Sequence, residues 1–502
     1  MKYLIGVDFG GSSSKATLIN EYGEKVCSAT CEYPMIFPSV GWAEHDPIEI
    51  YNSFITNVRT IFEKSHIFPH QVAAISLDAG THIAVFLDEN DKIIRPAIYW
   101  SDSRSAKQAE ELSVYYDKIM KLSFNAPSPV WTLPQIMWLR ENEPDNFKRI
   151  RRILFLKDYI RYRLTGVYAT DSVEAMGSML MDVEKGKWSE WLCSLCGITT
   201  DMLPDIVSPV KIIGTVNDKA SYETGLSTKT LVAAGATDTV MEVYASGAIK
   251  PGQATLKLAT AGRICAITER PYTHPLLVTY KHIIPGLWYP GTATKTSAAS
   301  LRWYRDVFCE HEKTVARENN ADAYHLIDEA ASFVPAGSDG LFFHPYLQGE
   351  ITPYLDTDLR ASFTGASLYH TKGHFNRAVM EGVAYSMREC MNSLKDIGIE
   401  ITDTIRIIGG GSKSGVWRQI VSDILDIELV RVLTDDSSIG SAMLAGVASG
   451  IFESFEQSVE VCSKTGDMVY PDKNNRSAYD RGFEYYKRIH DALAPIYKHM
   501  AK

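Results

Sequence analysis

The sequence predicts an α/β protein built as two similar halves facing a cleft, and three observations predict it. Short apolar runs bounded by Gly, Asp, Asn or Pro, the mark of strands, alternate with stretches of helical periodicity. A pattern of strand, small-residue turn and strand occurs twice, in GVDFGGSSSKATLI (6–19) and ATLKLATAGRICAI (254–267), with Gly10, Gly11 and Ser12 standing where Ala259, Thr260 and Ala261 stand. A chain of 502 residues suits about two or three domains at roughly 150 residues each.

The elements follow in order. Residues 3–101 read as strands, in YLIGVDF, SKATLIN, KVCSATCEY, VAAISLDA, HIAVFLDE and RPAIYW. One helix interrupts them, from Asp46 as N-cap and Pro47 at the first helical position, with Ile48, Tyr51, Ile55, Val58 and Phe62 on one face. Residues 105–200 read as mainly helical. Strands return in LVAAGATD (231–238), ATLKLATAG, RICAIT, LLVTYKHI and LWYPG. The last third alternates helix and strand, with a helix at 373–396, the strand-to-loop step TIRIIGGGSKSG, and the helix SSIGSAMLAGVASG. The amphipathic stretch YDRGFEYYKRIHDALAPIYKHM is expected to pack on its own domain.

The totals exclude several classes. With 51 Lys and Arg against 61 Asp and Glu the net charge is −10, which argues against non-specific nucleic-acid binding. No uncharged apolar run approaches the roughly 18 residues of a membrane span, so no membrane role is expected and a cytoplasmic location is. Eight scattered cysteines suggest reduced thiols, and the CxxC of WSEWLCSLCGI lacks a second pair for zinc, so Cys193 and Cys196 are expected to be buried helix residues.

Four segments have the residue types for chemistry. GVDFGGSSSK fits neither GxxxxGK[ST] nor GxGxxG; it offers a tight hairpin whose glycines expose backbone N–H groups, with Ser12 and Ser13 hydroxyls and the Lys15 charge, all suited to a polyphosphate. Asp8 would repel that anion unless a divalent cation lay between them; a Gly-rich turn with a capping Asp is the alternative. Asp238 ends an apolar strand, where it suits either a general base or a helix N-cap. Gly409, Gly410 and Gly411 stand between a strand and an amphipathic helix, as a rest for a phosphate or flat ligand or as a tight turn. The small residues of SSIGSAMLAGVASG suit either a base ring or close helix packing.

Together these motifs resemble the FGGY carbohydrate kinases, nearly end to end and in order: GVDFGGSSSK, YWSDSR (99–104), LKDYIRYRLTG (156–166), GATD (235–238), HPYLQGEITP (344–353) and GGGSKSGVWRQIVSDIL. The resemblance implies two ribonuclease H-like domains of the actin, Hsp70 and hexokinase superfamily around a central cleft, residues 1–247 holding the sugar, the first phosphate hairpin and the base, and residues 248–502 the nucleotide. It implies ATP and a sugar as the small-molecule partners, Mg2+ at Asp8, Asp238 as base beside the sugar, Gly11, Ser12, Ser13, Lys15 and Thr260 on ATP phosphates, and Gly409, Gly410, Gly411 and Ser414 toward the nucleotide. A homodimer is common in that family. Domain closure would exclude water and limit wasteful ATP hydrolysis.

DAGTHIAVFLDENDKIIRPAIYW resembles the xylulokinase and gluconate kinase pattern, with Thr81 and His82 where a Met-His pair commonly reaches substrate. A ketopentose such as xylulose is therefore the leading acceptor, gluconate or another sugar acid, sugar alcohol or pentulose the alternative, and glycerol is disfavoured. Departures are Ala259-Thr260-Ala261 for Gly-Thr-Ser, Thr239 after the base, Gln135 where Lys is frequent, and Ile351 for the Arg of the G-E-R-x-P loop. They leave open a sugar-binding regulatory protein that has lost phosphoryl transfer.

Overall fold

The computed structural model describes residues 1–402 and 404–500. Two sheets form its frame, each built on a path of six strands, the first with a short seventh strand, Ala236–Thr237, beside that path. The first contains β1 (Tyr3–Phe9), β2 (Ser13–Asn20), β3 (Lys25–Glu32), β4 (Val72–Ala79), β5 (Ile212–Thr215) and β6 (Leu231–Ala233), in the order β3-β2-β1-β4-β6-β5. The second contains β7 (Ala254–Leu258), β8 (Gly262–Ala266), β9 (Gly291–Thr294), β10 (Ile405–Ile408), β11 (Leu429–Val432) and β12 (Thr465–Val469), in the order β9-β8-β7-β10-β11-β12. Each reads antiparallel, antiparallel, parallel, parallel, antiparallel across its strands. The weak repeat in the sequence is thus a repeat of whole ribonuclease H-like sheets, and the two-domain α/β expectation is met.

The register fixes the correspondence. Asp8 pairs with Lys15 across the first hairpin as Lys257 pairs with Arg263 across the second. Four residues, 10–13, link Phe9 to its partner Ser14; three, 259–261, link Leu258 to Gly262. The two glycine-poor and glycine-rich turns therefore do occupy equivalent places.

Helix α1 (Pro47–Ser65) starts as expected, with the Asp46 carboxylate accepting from the Ile48 N–H at 2.8 Å. Its buried face is rotated from the one expected: Ile50, Tyr51, Phe54, Val58 and Ile61 are inside, whereas Ile48 is 48% exposed. Two polar side chains on the buried stripe explain the choice, since Ser53 and Asn57 both hydrogen-bond the buried Ser14 on β2, at 2.7 and 2.7 Å. An apolar count alone does not see such anchors.

Three strand expectations are corrected. HIAVFLDE keeps only Ala84–Leu87, paired with Arg152–Phe155. LVAAGATD breaks at Gly235, whose positive φ of 79° carries the chain over the Leu77 carbonyl of β4 before Ala236–Thr237 pairs again. LLVTYKHI is irregular, with isolated bridges at Val278 and Lys281, so that its side chains reach toward the other half.

The two halves are joined by helices. α2 (Asp238–Ala245) follows the base segment, and α5 (Ser437–Ala448), from the second half, lies across β1 and β4 of the first and against α2. α3 (Lys372–Asp396), α4 (Gly415–Leu425) and α6 (Arg476–Met500) pack within the second half; Tyr479, Phe483 and Tyr486 of α6 are buried there, so the C-terminal helix packs as expected on its own domain. The small residues of α5 serve close packing: a Cβ on Gly440 would lie 2.1 Å from the Met241 carbonyl oxygen, and one on Gly6 would lie 1.9 Å from that of Ser438. All eight cysteines are free, Cys193 and Cys196 buried in the helix Glu190–Cys196. No helix among the described residues is long and apolar enough to cross a membrane.

Candidate active site

The first hairpin is braced from below. Gly10 N–H donates to the Ser13 carbonyl at 3.0 Å, the Tyr33 hydroxyl donates to the Gly10 carbonyl, and His45 Nε2 lies 2.9 Å from the Gly11 carbonyl. Gly11 has no room for a side chain, because a Cβ would come within 2.9 Å of the Tyr99 hydroxyl. The small residues in this turn therefore answer to the chain's own aromatics as well as to any ligand. Ser12 is exposed and Lys15 is ion-paired with Asp436, the N-cap of α5, so the two halves meet here through opposite charges.

Asp8 does not stand alone. It pairs in register with Asp78 at the end of β4, a residue the sequence reading passed over. Burial, with Asp238 next, raises Asp8 to about 7; burial, with Asp8 next, holds Asp78 well above the usual carboxylate range. Ser441 of α5 donates to Asp78 Oδ2 at 2.5 Å, while Asp78 Oδ1 is shielded and has no partner. Like charges this close and this dry do not both ionise without a cation. Mg2+ fits such a place: it uses one or two carboxylates and takes its remaining ligands from water and phosphate. The described residues contain no cluster of three or more His, Cys, Asp or Glu set to cage a metal by themselves.

A consequence can be measured without ligand. Asp8 binds a proton in the folded chain up to about pH 7 but only up to about pH 4 when unfolded, so its ionisation costs stability as pH rises through that window. Asp8→Asn is expected to stabilise the ligand-free protein by about 1–2 kcal/mol at pH 8. Thermal melts should show the gain shrink as pH falls and vanish below about pH 4, where both states are protonated.

Asp238 is the first residue of α2, directly after Ala236–Thr237, which pairs with Asp78 and Ala79. Thr237 occupies the N-cap position and makes no side-chain cap bond; the Asp238 carboxylate accepts from the Thr239 N–H at 2.6 Å and the Thr239 hydroxyl at 3.2 Å. Thr239, noted as a departure, thus orients this acid. Burial raises the Asp238 pKa, and Lys257, then Thr239 and Arg263, pull against it. Lys257, the register counterpart of Asp8, is bound to Glu242 of α2 at 2.6 Å. A lysine in the second sheet thus faces acids of the first.

The second hairpin turn is exposed at Thr260, whose carbonyl accepts from Ser297 N–H at 2.9 Å. The glycine run lies beside it. Gly409, at φ 86°, leaves no space for a Cβ, which would sit 2.7 Å from the Leu258 carbonyl oxygen, and its N–H donates to Asp435 at 2.8 Å. Gly410 is open, with nothing within 4 Å of a Cβ. The helix after them begins only at Gly415; its N-cap is Ser414, which accepts from Trp417 N–H at 3.0 Å. The Ser414 hydroxyl is occupied by the fold.

At the other end, Thr81 and His82 follow β4. The His82 N–H donates to Glu174, the Thr132 hydroxyl donates to the His82 carbonyl at 2.8 Å, and the ring lies 4.9 Å from that of Trp131. Burial lowers His82 to about 3, so the imidazole is neutral, and its Nδ1 is shielded with no partner. Glu174 belongs to a buried group with Lys157, Asp158 and Asp171 that fixes this turn. Thr81 is hydrogen-bonded to Tyr280, which stacks on Tyr289 at 5.6 Å; Tyr289 lies beside Thr237 and beneath Arg263. Contacts therefore run from Thr81, next to His82, through Tyr280 and Tyr289 to Thr237, next to Asp238, and the Asp238 charge in turn acts on Asp8. Gln135 is buried, its amide 3.4 Å from the Val130 carbonyl.

Comparisons with known proteins cover nearly the whole chain. The model for the N-terminal domain of the FGGY family of carbohydrate kinases matches residues 3–244, and that for the C-terminal domain residues 264–449. The xylulose kinase of Bacillus subtilis (strain 168) is 30% identical over 496 residues, covering 98% of this chain and 97% of the relative. The gluconokinase of the same organism is 31% identical over 475 residues, covering 92% and 91%. Among solved structures, the xylulose kinase of Rhodospirillum rubrum superposes with a TM-score of 0.89 at 27% identity, covering 99% of this chain and 100% of that one.

Proposed function

This chain belongs to the FGGY family of carbohydrate kinases, and from that premise we propose that it transfers the γ-phosphoryl group of ATP to a hydroxyl of an open-chain sugar in the cytoplasm. The observation that carries the proposal is the effect of Asp238 on Asp8: the two stand 230 positions apart in sequence, yet the charge of Asp238 raises the pKa of Asp8. Asp238 takes the proton of the acceptor hydroxyl as its oxygen bonds to phosphorus; the bond from phosphorus to the β-bridging oxygen breaks and ADP leaves. Lys257 and Arg263 favour the ionised, basic form of Asp238. Backbone N–H groups of Gly11 with Ser12 and Ser13 on one side, and Thr260 on the other, hold phosphates, with Gly409, Gly410 and Gly411 supporting the nucleoside. Lys15 joins them by exchanging Asp436 for phosphate, and the Ser414 hydroxyl contributes through its helix cap. Asp8 and Asp78 would hold Mg2+, which when bound neutralises phosphate charge.

For the acceptor, Thr81 and the neutral His82 suit hydroxyls. The relatives' names support a ketopentose such as xylulose. A second reading, a sugar acid such as gluconate, is favoured by the guanidinium of Arg263 beside Asp238. ADP release measured with xylulose, ribulose, gluconate, erythritol and glycerol tests the function: turnover with at least one of the first three, and little with glycerol, is expected. No ADP with any of them, together with heat stabilisation by one, would instead mark a sugar-binding regulator.

A further inference from the structure

We infer that Arg263 is a specificity-determining residue that holds a carboxylate of the acceptor, so that the sugar taken by this cleft is a polyhydroxylated acid. The inference rests on the kinase function above and narrows its substrate. Arg263 leaves β8 toward the acceptor end of the gap. Its guanidinium lies 6.0 Å over the Tyr289 ring, beside Tyr280 and the thiol of Cys265, and Tyr280 is bonded in turn to Thr81. Its Nη2 is shielded from solvent and has no acceptor. Among the described residues no carboxylate lies within salt-bridge distance of it; Asp238 acts on it only from further away.

Its surroundings favour the charged guanidinium as a whole, but a shielded N–H without an acceptor is expensive, so Nη2 is the donor that lacks a partner. A second orphaned atom lies nearby in the same chain of contacts: His82, next to the Thr81 that bonds Tyr280 beside Arg263, has a shielded and unpaired Nδ1, whereas the Tyr289 and Thr237 hydroxyls bond each other. One molecule with several hydroxyls and a terminal carboxylate satisfies both, a carboxylate oxygen accepting from Arg263 Nη2 and a hydroxyl meeting His82 Nδ1. A neutral sugar of the same length would leave the guanidinium unpaired. Lys257, the other cation near Asp238, is already engaged by Glu242 and does not compete for the acid group.

The test compares gluconate with glucitol, which share a six-carbon polyhydroxyl chain and differ in the carboxylate, alongside xylulose. In the full-length protein with Mg2+ and ATP, gluconate is expected to have the highest kcat/KM of the three. Arg263→Met should lower the gluconate-to-xylulose ratio roughly 10- to 100-fold, the range for losing a hydrogen bond to a charged group, through the KM of gluconate. Arg263→Lys should recover part of it. Heat stabilisation by gluconate without nucleotide reads binding independently of turnover, and should be present in the wild type and lost in Arg263→Met. A wild type that prefers xylulose and gains no heat stability from gluconate overturns the inference while leaving the kinase function intact. So does an Arg263→Met enzyme whose kcat falls equally for every acceptor, which would place the guanidinium on the transferring phosphoryl group. Absence of turnover with every acceptor would count against the kinase function instead, and gluconate binding sensitive to Arg263 would still uphold the role given to this residue.

Discussion

Asp238→Asn should abolish sugar phosphorylation, with kcat reduced by about 10²–10⁴, the contribution of a well-placed general base, while nucleotide still binds. The substitution keeps the size and one acceptor oxygen, so the hydrogen bonds from Thr239 survive and α2 keeps its start. It removes the group that accepts the proton. It also removes a negative charge from beside Asp8, so the acid at the metal position should ionise at lower pH and bind Mg2+ at least as well. Single-turnover ADP formation with saturating sugar reads the chemical step, and fluorescence titration with a nucleotide analogue reads binding. Near-normal turnover would remove Asp238 from the reaction.

The second large effect is structural and lies away from any ligand. Gly6→Ala should destabilise the protein by about 3 kcal/mol or more, above the usual cost of overpacking, because the obstructing atoms are backbone. A Cβ there would stand 1.9 Å from the Ser438 carbonyl oxygen and 2.3 Å from the Ala442 nitrogen, so α5 must shift bodily. That helix supplies Ser438 to Thr17 at 2.7 Å, Ser441 to Asp78 and, through its cap, Asp436 to Lys15. The variant should therefore lose activity together with stability although residue 6 reaches no substrate. Gly410→Ala, with nothing within 4 Å of the added methyl, should keep its stability within about 0.5 kcal/mol in the same denaturant titration, as substitutions at open positions do.

How much of this was legible in the sequence depends on whether the signal was local. The hairpin at Gly10–Ser13, the cap at Asp46, the strand ending near Asp238 and the helix at 372–396 are set by neighbours in the chain, and their residue types declare them. Asp78 escaped because VAAISLDAG reads as a buried strand running into a turn; only pairing with β1 brings its carboxylate beside Asp8. The signal was present, since GVDFG and SLDAG both place an Asp near the end of an apolar strand, two residues before a Gly. Lys257 and Arg263 escaped for another reason. The repeat keeps its shape but inverts the charge, with Lys257 standing where Asp8 stands, and a search for shared small residues does not register the inversion. Tyr280 was hidden in a segment composed like a strand but used as a loop. The α1 stripe was off by part of a turn because two adjacent apolar stripes compete, and Ser53 and Asn57 choose between them through Ser14.

The most direct test of the single shared cleft is a crystal structure of the protein with ADP, Mg2+, aluminium fluoride and the acceptor that supports turnover. The fluoroaluminate should lie between the turns at Gly11–Ser13 and Thr260, with the metal on the Asp8 side and an acceptor oxygen within hydrogen-bond distance of Asp238. Nucleotide bound outside that gap, or Asp238 facing away from the acceptor, would contradict it.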